Sequence, residues 1–377
     1  SMNPEFKNIG KLGFGLMRLP KDDSGAIDIA QSSQMVDMFL NAGFTYFDTA
    51  WSYDGSEEAT RKILVERYPR ESYQLATKCA AWVNCKTREE ATAQFDVSLE
   101  RTGAGYFDFY LLHNLGEDRT RAFDDFDMWS WIIELKAAGK IRYAGFSFHG
   151  TAAELDGLLA AHPELDFVQL QINYADWEDP AVQSRDCYEA ARKHGVPVVI
   201  MEPIKGGMLA TPPQGVRDVL RAAEPDSSEA SWAVRFAASL PGVITVLSGM
   251  SSIEQMRDNL SYMKGFTRLS EVQEGVIGKA QEELAKVPLI PCTVCDYCAK
   301  VCPVDVGISG TFRATNNLTL YGDLKSARSN EGWFVTKHGH KRATECTECG
   351  KCETACPQKI AIREELKRCI EKLQLGE

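Results

Sequence analysis

Four ionisable side chains in the first third of the chain lie at the ends of three strand-like hydrophobic runs. Asp48 and Tyr53 follow the first run. Lys78 ends the second run and His113 ends the third. The carboxyl ends of the strands of a parallel barrel share one face, which is where such enzymes carry their chemistry. We therefore expect these four side chains to lie together.

The four residue types suit the transfer of a proton to a carbonyl oxygen. A free phenol has a pKa of about 10, and a neighbouring cation favours its charged form and lowers that pKa. Lys78 is the candidate cation beside Tyr53, and the carboxylate of Asp48 would keep the lysine charged. His113 is suited to hydrogen-bond and orient the carbonyl group. The set predicts an acid tuned for the reduction of a C=O bond.

The cysteines are a second group of candidate functional residues. Eight of the twelve form two runs after residue 290. Both runs have the spacing Cys-x2-Cys-x2-Cys-x3-Cys-Pro, which is the bacterial ferredoxin pattern for [4Fe-4S] clusters. In that pattern the fourth cysteine of each run ligates the other cluster. The expected ligands are Cys292, Cys295, Cys298 and Cys356 for one cluster, and Cys346, Cys349, Cys352 and Cys302 for the other.

Zinc is the competing metal for paired cysteines, because four thiolates also form tetrahedral zinc sites. Zinc would give no role to the third and fourth cysteine of each run or to the prolines that follow. The spacing therefore favours iron and sulfur. The remaining cysteines are expected to be buried thiols, and these are Cys79, Cys85, Cys187 and Cys369.

The elements that must position these residues alternate regularly along the first 260 residues. Strand candidates followed by helix candidates lie at residues 12–17, 44–47, 73–77, 106–112, 141–147, 167–173, 196–201 and 243–247. Such alternation predicts a parallel α/β fold, and the count of eight favours a closed (β/α)8 TIM barrel. A chain of 377 residues exceeds the roughly 250 of a single barrel. We predict a barrel at residues 8–285 and an α+β ferredoxin-like domain at residues 286–377.

Residues 8–285 resemble the aldo-keto reductase family, and the cysteine runs resemble those of its iron-sulfur subgroup. The resemblance rests on Gly13-Phe14-Gly15, Asp48-Thr49-Ala50 with Tyr53, Lys78 and His113, which occur in the order of that family's catalytic tetrad. It implies a nicotinamide cofactor, NAD(H) or NADP(H), in addition to two [4Fe-4S] clusters. It also implies that Tyr53 is the acid and base, with Lys78, Asp48 and His113 in support.

The same resemblance implies where the nicotinamide cofactor binds. Ser147 and Gln171 would hold the carboxamide. Met201 stands where an aromatic ring often stacks, and Gly249 and Gln255 stand where cations commonly hold the 2'-phosphate of NADP. Binding of NADH at least as well as NADPH is therefore expected. Residues 202–207 and 248–252 would run along the phosphates and ribose. The further cofactor-binding residues would be Glu202, Lys205, Gly206, Gly249, Ser251, Gln255 and Asn259.

The predicted reaction is the interconversion of a carbonyl and an alcohol, with sugars among the candidate substrates. Two alternatives remain open: a sugar epimerase or isomerase that acts by transient oxidation, and an electron-transfer subunit coupled to a ferredoxin. The clusters would exchange electrons with a ferredoxin-like partner, act on the substrate or stabilise their domain. Metal binding that is coupled to folding makes the last role physically reasonable.

Charge and hydropathy narrow the class of partner. The formal net charge of −11 argues against nucleic acid or an anionic membrane surface as a partner. No apolar run approaches the ~20 residues of a membrane span, and the N-terminus lacks the apolar core of a signal peptide. A cytoplasmic protein with a small-molecule substrate is the expectation.

Overall fold

The computed structural model describes residues 2–376, which form two compact units. The first unit comprises the chain up to Ile204 together with Asp226–Glu274. The second comprises Lys205–Pro225 together with the chain from Gly275 onwards. The segment Lys205–Pro225, which the sequence pattern includes in the barrel, therefore belongs to the same unit as the cysteine runs.

The first unit contains a closed barrel of eight parallel strands in sequential order, with β8 pairing with β1. Each strand pairs in parallel with the next along the chain, for example Phe47 of β2 with Leu75 of β3. The prediction of a (β/α)8 barrel is confirmed. The strands are β1 Leu12–Gly15, β2 Tyr46–Asp48, β3 Gln74–Cys79, β4 Phe107–Leu115, β5 Ile141–Phe148, β6 Phe167–Gln171, β7 Val198–Met201 and β8 Val243–Ser248.

The helices follow the strands in the alternation that the sequence predicts. In chain order they are α1 Pro4–Lys7, α2 Ile29–Asn41, α3 Ser56–Thr60, α4 Arg88–Thr102, α5 Thr120–Asp125, α6 Met128–Ala137, α7 Ala152–Ala161, α8 Ser184–Lys193, α9 Gln214–Ala223, α10 Glu229–Ala238, α11 Ile253–Met263, α12 Glu271–Leu284, α13 Ile308–Tyr321, α14 Leu324–Phe334, α15 Lys351–Ala355 and α16 Ile362–Leu373. One of them, α9, lies in a region that the sequence pattern treats as a Gly/Pro-rich loop.

Polar residues at the helix starts explain several of these boundaries. The Thr151 hydroxyl accepts from the backbone N–H of Glu154, and the Glu154 side chain accepts from the backbone N–H of Thr151. This reciprocal capping box satisfies two otherwise unpaired N–H groups at the start of α7. Ser252 caps α11 by accepting from the backbone N–H of Gln255. The loops after β5 and β8 are thereby held where the chain turns into the next helix.

The interior of the barrel is apolar except near the carboxyl ends of the strands. Buried side chains fill it, including Tyr46, Ala76, Phe109, Leu111, Phe167 and Val199. Phe6 of α1 packs on Phe109 with ring centroids 5.5 Å apart and on Tyr143 at 4.7 Å. The N-terminal end of the barrel is therefore closed by aromatic packing, which leaves the opposite end for polar groups.

The second unit is mainly helical. Its core is formed by α13, α14 and α16, with buried side chains such as Phe312, Ala327 and Leu366. Among its described residues, extended pairing is an isolated parallel bridge between Val306 and Lys341. The strand component expected of a ferredoxin-like domain is thus reduced to this bridge. No helix within residues 2–376 is long and apolar enough to cross a membrane.

The close approach of β5 and β6 gives a stability prediction. Gly145 pairs with Phe167, and a Cβ atom at residue 145 would lie 2.4 Å from the Phe167 carbonyl oxygen. We expect Gly145→Ala to lower the free energy of unfolding by about 2 kcal/mol, because the strands must separate. Urea unfolding followed by circular dichroism measures this change.

Gly157→Ala is the matched control. Gly157 lies inside α7, and a Cβ atom there would meet nothing within 4 Å. This substitution is expected to raise the free energy of unfolding by about 0.5–1 kcal/mol, since glycine is unfavourable in a helix interior. Equal effects of the two substitutions would contradict the packing described at β5.

Candidate active site

A buried ion pair joins the ends of β2 and β3. The Lys78 ammonium donates to both carboxylate oxygens of Asp48, each at 2.8 Å, and to the carbonyl oxygen of Thr49 at 2.7 Å. The Lys78 side chain is fully buried and that of Asp48 is 5% exposed. The three N–H donors of the ammonium thus have three acceptors, so the side chain is held in one position.

Burial shifts the titration of both partners. It lowers the pKa of Lys78 below that of an ordinary lysine, and the nearby Asp48 carboxylate offsets part of this effect. Burial likewise raises the pKa of Asp48, against the opposing effect of the Lys78 charge. Each partner therefore favours the charged form of the other in a site where water cannot do so.

The other two ionisable residues predicted from the sequence lie beside this pair. The Lys78 nitrogen is 5.1 Å from the centre of the Tyr53 ring. The Tyr53 and His113 rings meet edge to face, with centroids 5.7 Å apart and an angle of 83°. Tyr53 lies in the loop after β2, and His113 lies near the end of β4. Three adjacent strands therefore bring Asp48, Tyr53, Lys78 and His113 together at one end of the barrel.

Ser52 and Trp82 contact His113. The Ser52 hydroxyl lies 3.3 Å from Nδ1 of His113, and the Trp82 indole N–H donates to the His113 carbonyl at 2.7 Å. Ser52 could have been noticed because it directly precedes Tyr53. Its pairing with a histidine 61 residues away carries no local signal.

A second buried carboxylate lies behind the ion pair. Glu57 is fully buried, accepts from the Thr77 hydroxyl at 2.7 Å and pairs with Arg101 at 3.1 Å. The Arg101 guanidinium also donates to the carbonyl of Trp51 at 2.9 Å. Trp51 is two residues before Tyr53, so the Glu57–Arg101 pair anchors the loop that carries the phenol.

The residues expected to hold the nicotinamide carboxamide are buried at the ends of β5 and β6. The Ser147 hydroxyl accepts from the backbone N–H of Asn114 at 2.7 Å. The Gln171 amide donates to Asp176 at 2.7 Å, and Asn173 donates to the same carboxylate oxygen at 2.7 Å. Asp176 thereby fixes the amide of Gln171, and it is a further residue that the sequence analysis did not identify.

Arg18 connects three of the residues expected along the rest of the cofactor. Its guanidinium pairs with Glu202 at 3.0 Å, and its carbonyl accepts from the Ser251 hydroxyl at 2.6 Å. Its aliphatic part lies against Gly249, where a Cβ atom would be 3.3 Å from Cδ of Arg18. Arg18 follows Gly13-Phe14-Gly15 at the first turn after β1, a signal that the sequence analysis left unused.

Gln255 and Asn259 both lie on α11. The Gln255 side chain accepts from the backbone N–H of Ser251 at 2.7 Å, so it helps to cap the helix. The Asn259 amide donates to the carbonyl of Gln255 at 2.9 Å. Its own oxygen is buried and has no hydrogen-bond donor among the described residues. A buried acceptor of this kind suits an N–H donor from a ligand.

Lys205 and Gly206 belong to the second unit. Both have positive φ angles, 51° and 64°, and Lys205 is buried. A Cβ atom on Gly206 would lie 2.4 Å from the carbonyl oxygen of Thr293, so only glycine fits this close approach. Gly206 therefore packs against the backbone of the first cysteine run.

Two cavities in the second unit are each lined by four cysteines. The first cavity is lined by Cys292, Cys295, Cys298 and Cys356. The second cavity is lined by Cys302, Cys346, Cys349 and Cys352. These are the two sets of four that the spacing predicts, with one distant cysteine in each. The two cavities are of similar size, as expected of two sites for the same group.

The donor sets fit iron-sulfur clusters. In the part of the chain from residue 2 to 376, no three His, Cys, Asp or Glu side chains are arranged to hold a single metal ion. Four thiols around one cavity are the donor set of a [4Fe-4S] cluster. Ile308, the first residue of α13, lines both cavities and so lies between them. The four cysteines outside the runs line neither cavity. Cys79, Cys187 and Cys369 are buried, whereas Cys85 is half-buried.

Comparison with known proteins decides the family. Residues 11–276 match the aldo/keto reductase family, and residues 291–361 match a 4Fe-4S dicluster domain. The chain belongs to the aldo/keto reductase family. Membership in this family identifies it as an oxidoreductase, and the C-terminal match identifies a domain of the iron-sulfur type. The predictions of family and of an appended iron-sulfur domain are confirmed.

Related proteins match the barrel part of this aldo/keto reductase. An aldo-keto reductase of Mycolicibacterium vanbaalenii is 28% identical over 239 residues, which are 63% of this chain and 79% of the relative. The holo form of a Bacillus halodurans aldo-keto reductase has a TM-score of 0.58 and 25% identity, and the match covers 72% of this chain and 92% of that one. A Klebsiella pneumoniae aldo-keto reductase in complex with NADPH has a TM-score of 0.56 at 20% identity, covering 72% and 90%.

The ion pair of this aldo/keto reductase gives a stability prediction. Asp48→Asn leaves the Lys78 ammonium buried without a counter-charge, and breaking a buried pair in this way costs about 3–5 kcal/mol. We expect a loss of this size in the free energy of unfolding, measured by urea denaturation at pH 7.

Asp118→Asn is the control with the same chemical change. Asp118 pairs with Arg121 at 3.7 Å, and both side chains are more than 70% exposed. Exposed ion pairs contribute little to stability, so no measurable change is expected. If Asp48→Asn were as mild as this control, the buried pair would not be the structural requirement described above.

Proposed function

We propose that this oxidoreductase interconverts a carbonyl and an alcohol, with Tyr53 as the acid and base. The observation that carries the proposal is the Lys78 ammonium. It is fully buried, held by Asp48 and Thr49, and lies 5.1 Å from the centre of the Tyr53 ring. A fixed positive charge beside a phenol favours release of its proton, which is what a general acid requires.

Each residue of the set has a role in carbonyl reduction. The nicotinamide, when bound, supplies the hydride to the carbonyl carbon. Tyr53 supplies the proton to the carbonyl oxygen, while Lys78 and Asp48 maintain the charge that makes this transfer favourable. His113, with its ring held by Ser52, orients the carbonyl through a hydrogen bond. In the reverse direction Tyr53 accepts the proton of the alcohol.

The cofactor groove that we propose runs past the ends of β5 to β8. Ser147 and Gln171 would hold the carboxamide, and the buried oxygen of Asn259 would accept from an N–H donor of the cofactor. The NADPH complex of the Klebsiella pneumoniae relative supports a nicotinamide as the cofactor of this fold. The remaining proposed contacts in the first unit are those of Glu202, Gly249, Ser251 and Gln255.

We further propose that each cysteine-lined cavity holds one [4Fe-4S] cluster. The first cluster is bound by the four thiolates of the first cavity and the second by those of the second cavity. Such clusters supply one-electron transfer, which suits exchange with a ferredoxin-like partner. Both clusters are anionic groups held by thiolates, so folding of the second unit is expected to depend on them.

Replacement of Tyr53 tests the catalytic role. Tyr53→Phe removes the proton donor and keeps the ring, so kcat for carbonyl reduction is expected to fall at least ~100-fold. The dissociation constant of the nicotinamide, measured by fluorescence titration, is expected to stay within about twofold because the phenol is a proton donor rather than an anchor.

Tyr321→Phe is the matched control, because Tyr321 is 69% exposed and lies on α13 of the second unit. It is expected to leave both kcat and the dissociation constant unchanged. Full carbonyl reductase activity in Tyr53→Phe would remove Tyr53 from the reaction and the proposal with it.

Cofactor preference follows from Gly249 and Gln255. Neither residue carries a cation, and the Gln255 side chain is engaged with the backbone of Ser251. NADH is therefore expected to bind at least as tightly as NADPH in direct titration. Gln255→Arg adds a cation at the start of α11 and is expected to improve NADPH binding selectively. A clear NADPH preference in the wild type would contradict this assignment.

A further inference from the structure

The two cysteine-lined cavities differ in the charge of their surroundings. Among the described residues that line the second cavity, the charged side chain is Arg363. Among those that line the first cavity, it is Asp296. A [4Fe-4S] cluster gains one negative charge on reduction, so a nearby cation raises its reduction potential and a nearby carboxylate lowers it. Clusters bound in the two cavities are therefore expected to have unequal reduction potentials.

Arg363 is held against the ligand loop of the second cavity. A Cβ atom on Gly350 would lie 3.1 Å from Cζ of Arg363 and 3.3 and 3.4 Å from its two terminal nitrogens. Gly350 lies between the ligands Cys349 and Cys352, so the guanidinium lies on the loop that joins two thiolates. Gly350 has φ +77°, which also favours glycine. The chain thus leaves room for an arginine at this place.

Glu353 fixes the position of Arg363. The carboxylate accepts from the guanidinium at 2.8 Å and from the backbone N–H of Arg363 at 3.0 Å. Both bonds tie the start of α16 to α15. The carboxylate opposes the charge of the arginine, so removing Arg363 would leave a negative charge near the second cavity and lower the potential further.

Solvent exposure, like the charge of Arg363, favours a higher reduction potential for a cluster in the second cavity. Of the eight cysteines in the two runs, Cys349 is the exposed one, and it lines the second cavity. Water stabilises the added negative charge of a reduced cluster, so exposure raises the potential.

We propose that Arg363 raises the reduction potential of the cluster held by Cys302, Cys346, Cys349 and Cys352 above that of the other cluster. A single electron given to the pair then resides on this cluster. The inference rests on the proposed function, which assigns one [4Fe-4S] cluster to each cavity. Because Cys349 reaches the surface, the electron resides where a one-electron partner can collect it.

A redox titration of the full-length protein tests this assignment. The protein is purified anaerobically with its clusters, reduced stepwise with dithionite and mediators, and followed by electron paramagnetic resonance. Two separate one-electron transitions are expected in the wild type. Arg363→Gln is expected to decrease the equilibrium constant for reduction about tenfold at the higher transition only, a shift of about 59 mV for one electron.

Three further variants control for loss of structure. Arg368→Gln makes the same change on the same helix, α16, at an exposed arginine paired with Glu365, and is expected to shift neither transition. Arg363→Lys keeps the positive charge, and its higher transition is expected to lie close to that of the wild type. Asp296→Asn, at a residue with φ +60° that asparagine tolerates, is expected to raise the lower transition alone.

The outcomes separate this inference from the proposed function. Two clusters with one shared potential, or a shift of the lower transition in Arg363→Gln, would overturn the inference and leave the two clusters in place. A shift of the same size in Arg368→Gln would also overturn it, since the effect would then be one of general charge. Failure to find two cluster signals in the wild type would overturn the cluster assignment, and this inference with it.

Discussion

The buried ion pair of Lys78 and Asp48 constrains the rest of the barrel. An ammonium without access to water is stable only where acceptors surround it, and here Asp48 and Thr49 provide all three. These acceptors come from the end of β2 and the lysine from β3, so the strand register must be kept for the pair to exist. The pair in turn places the positive charge of Lys78 at a fixed position beside Tyr53.

The cysteine sites of the second unit also depend on residues that are distant in the chain. Cysteines from two distant runs meet around each cavity, so neither run can complete its site alone. Ile308 lies between the cavities, and Arg363 and Asp296 give them opposite charges. The proton transfer that we propose in the barrel and the electron transfer that we propose in the second unit would both depend on a charge placed beside a reactive group. Asp48 holds Lys78 in position, and Glu353 holds Arg363.

Much of this organisation could be predicted from the sequence because periodicity and spacing are local signals. Strand-like runs that end in Lys78 and His113 locate polar groups at one end of a barrel, and Cys-x2-Cys spacing indicates a cluster ligand. Long-range partners carry no such signal: Arg18 and Glu202 pair across 184 residues. Helix α9 was missed because prolines and a glycine surround its start, although its buried Val216 and Leu220 are spaced as in a helix.

The pH dependence of carbonyl reduction in Lys78→Met tests the central claim most directly. The alkaline limb of kcat reports the loss of the proton that the general acid must donate. Without the ammonium the phenol keeps its proton to higher pH, so the account predicts that this limb moves to higher pH in the variant than in the wild type. An alkaline limb at the same pH in both enzymes would contradict the role of the buried charge.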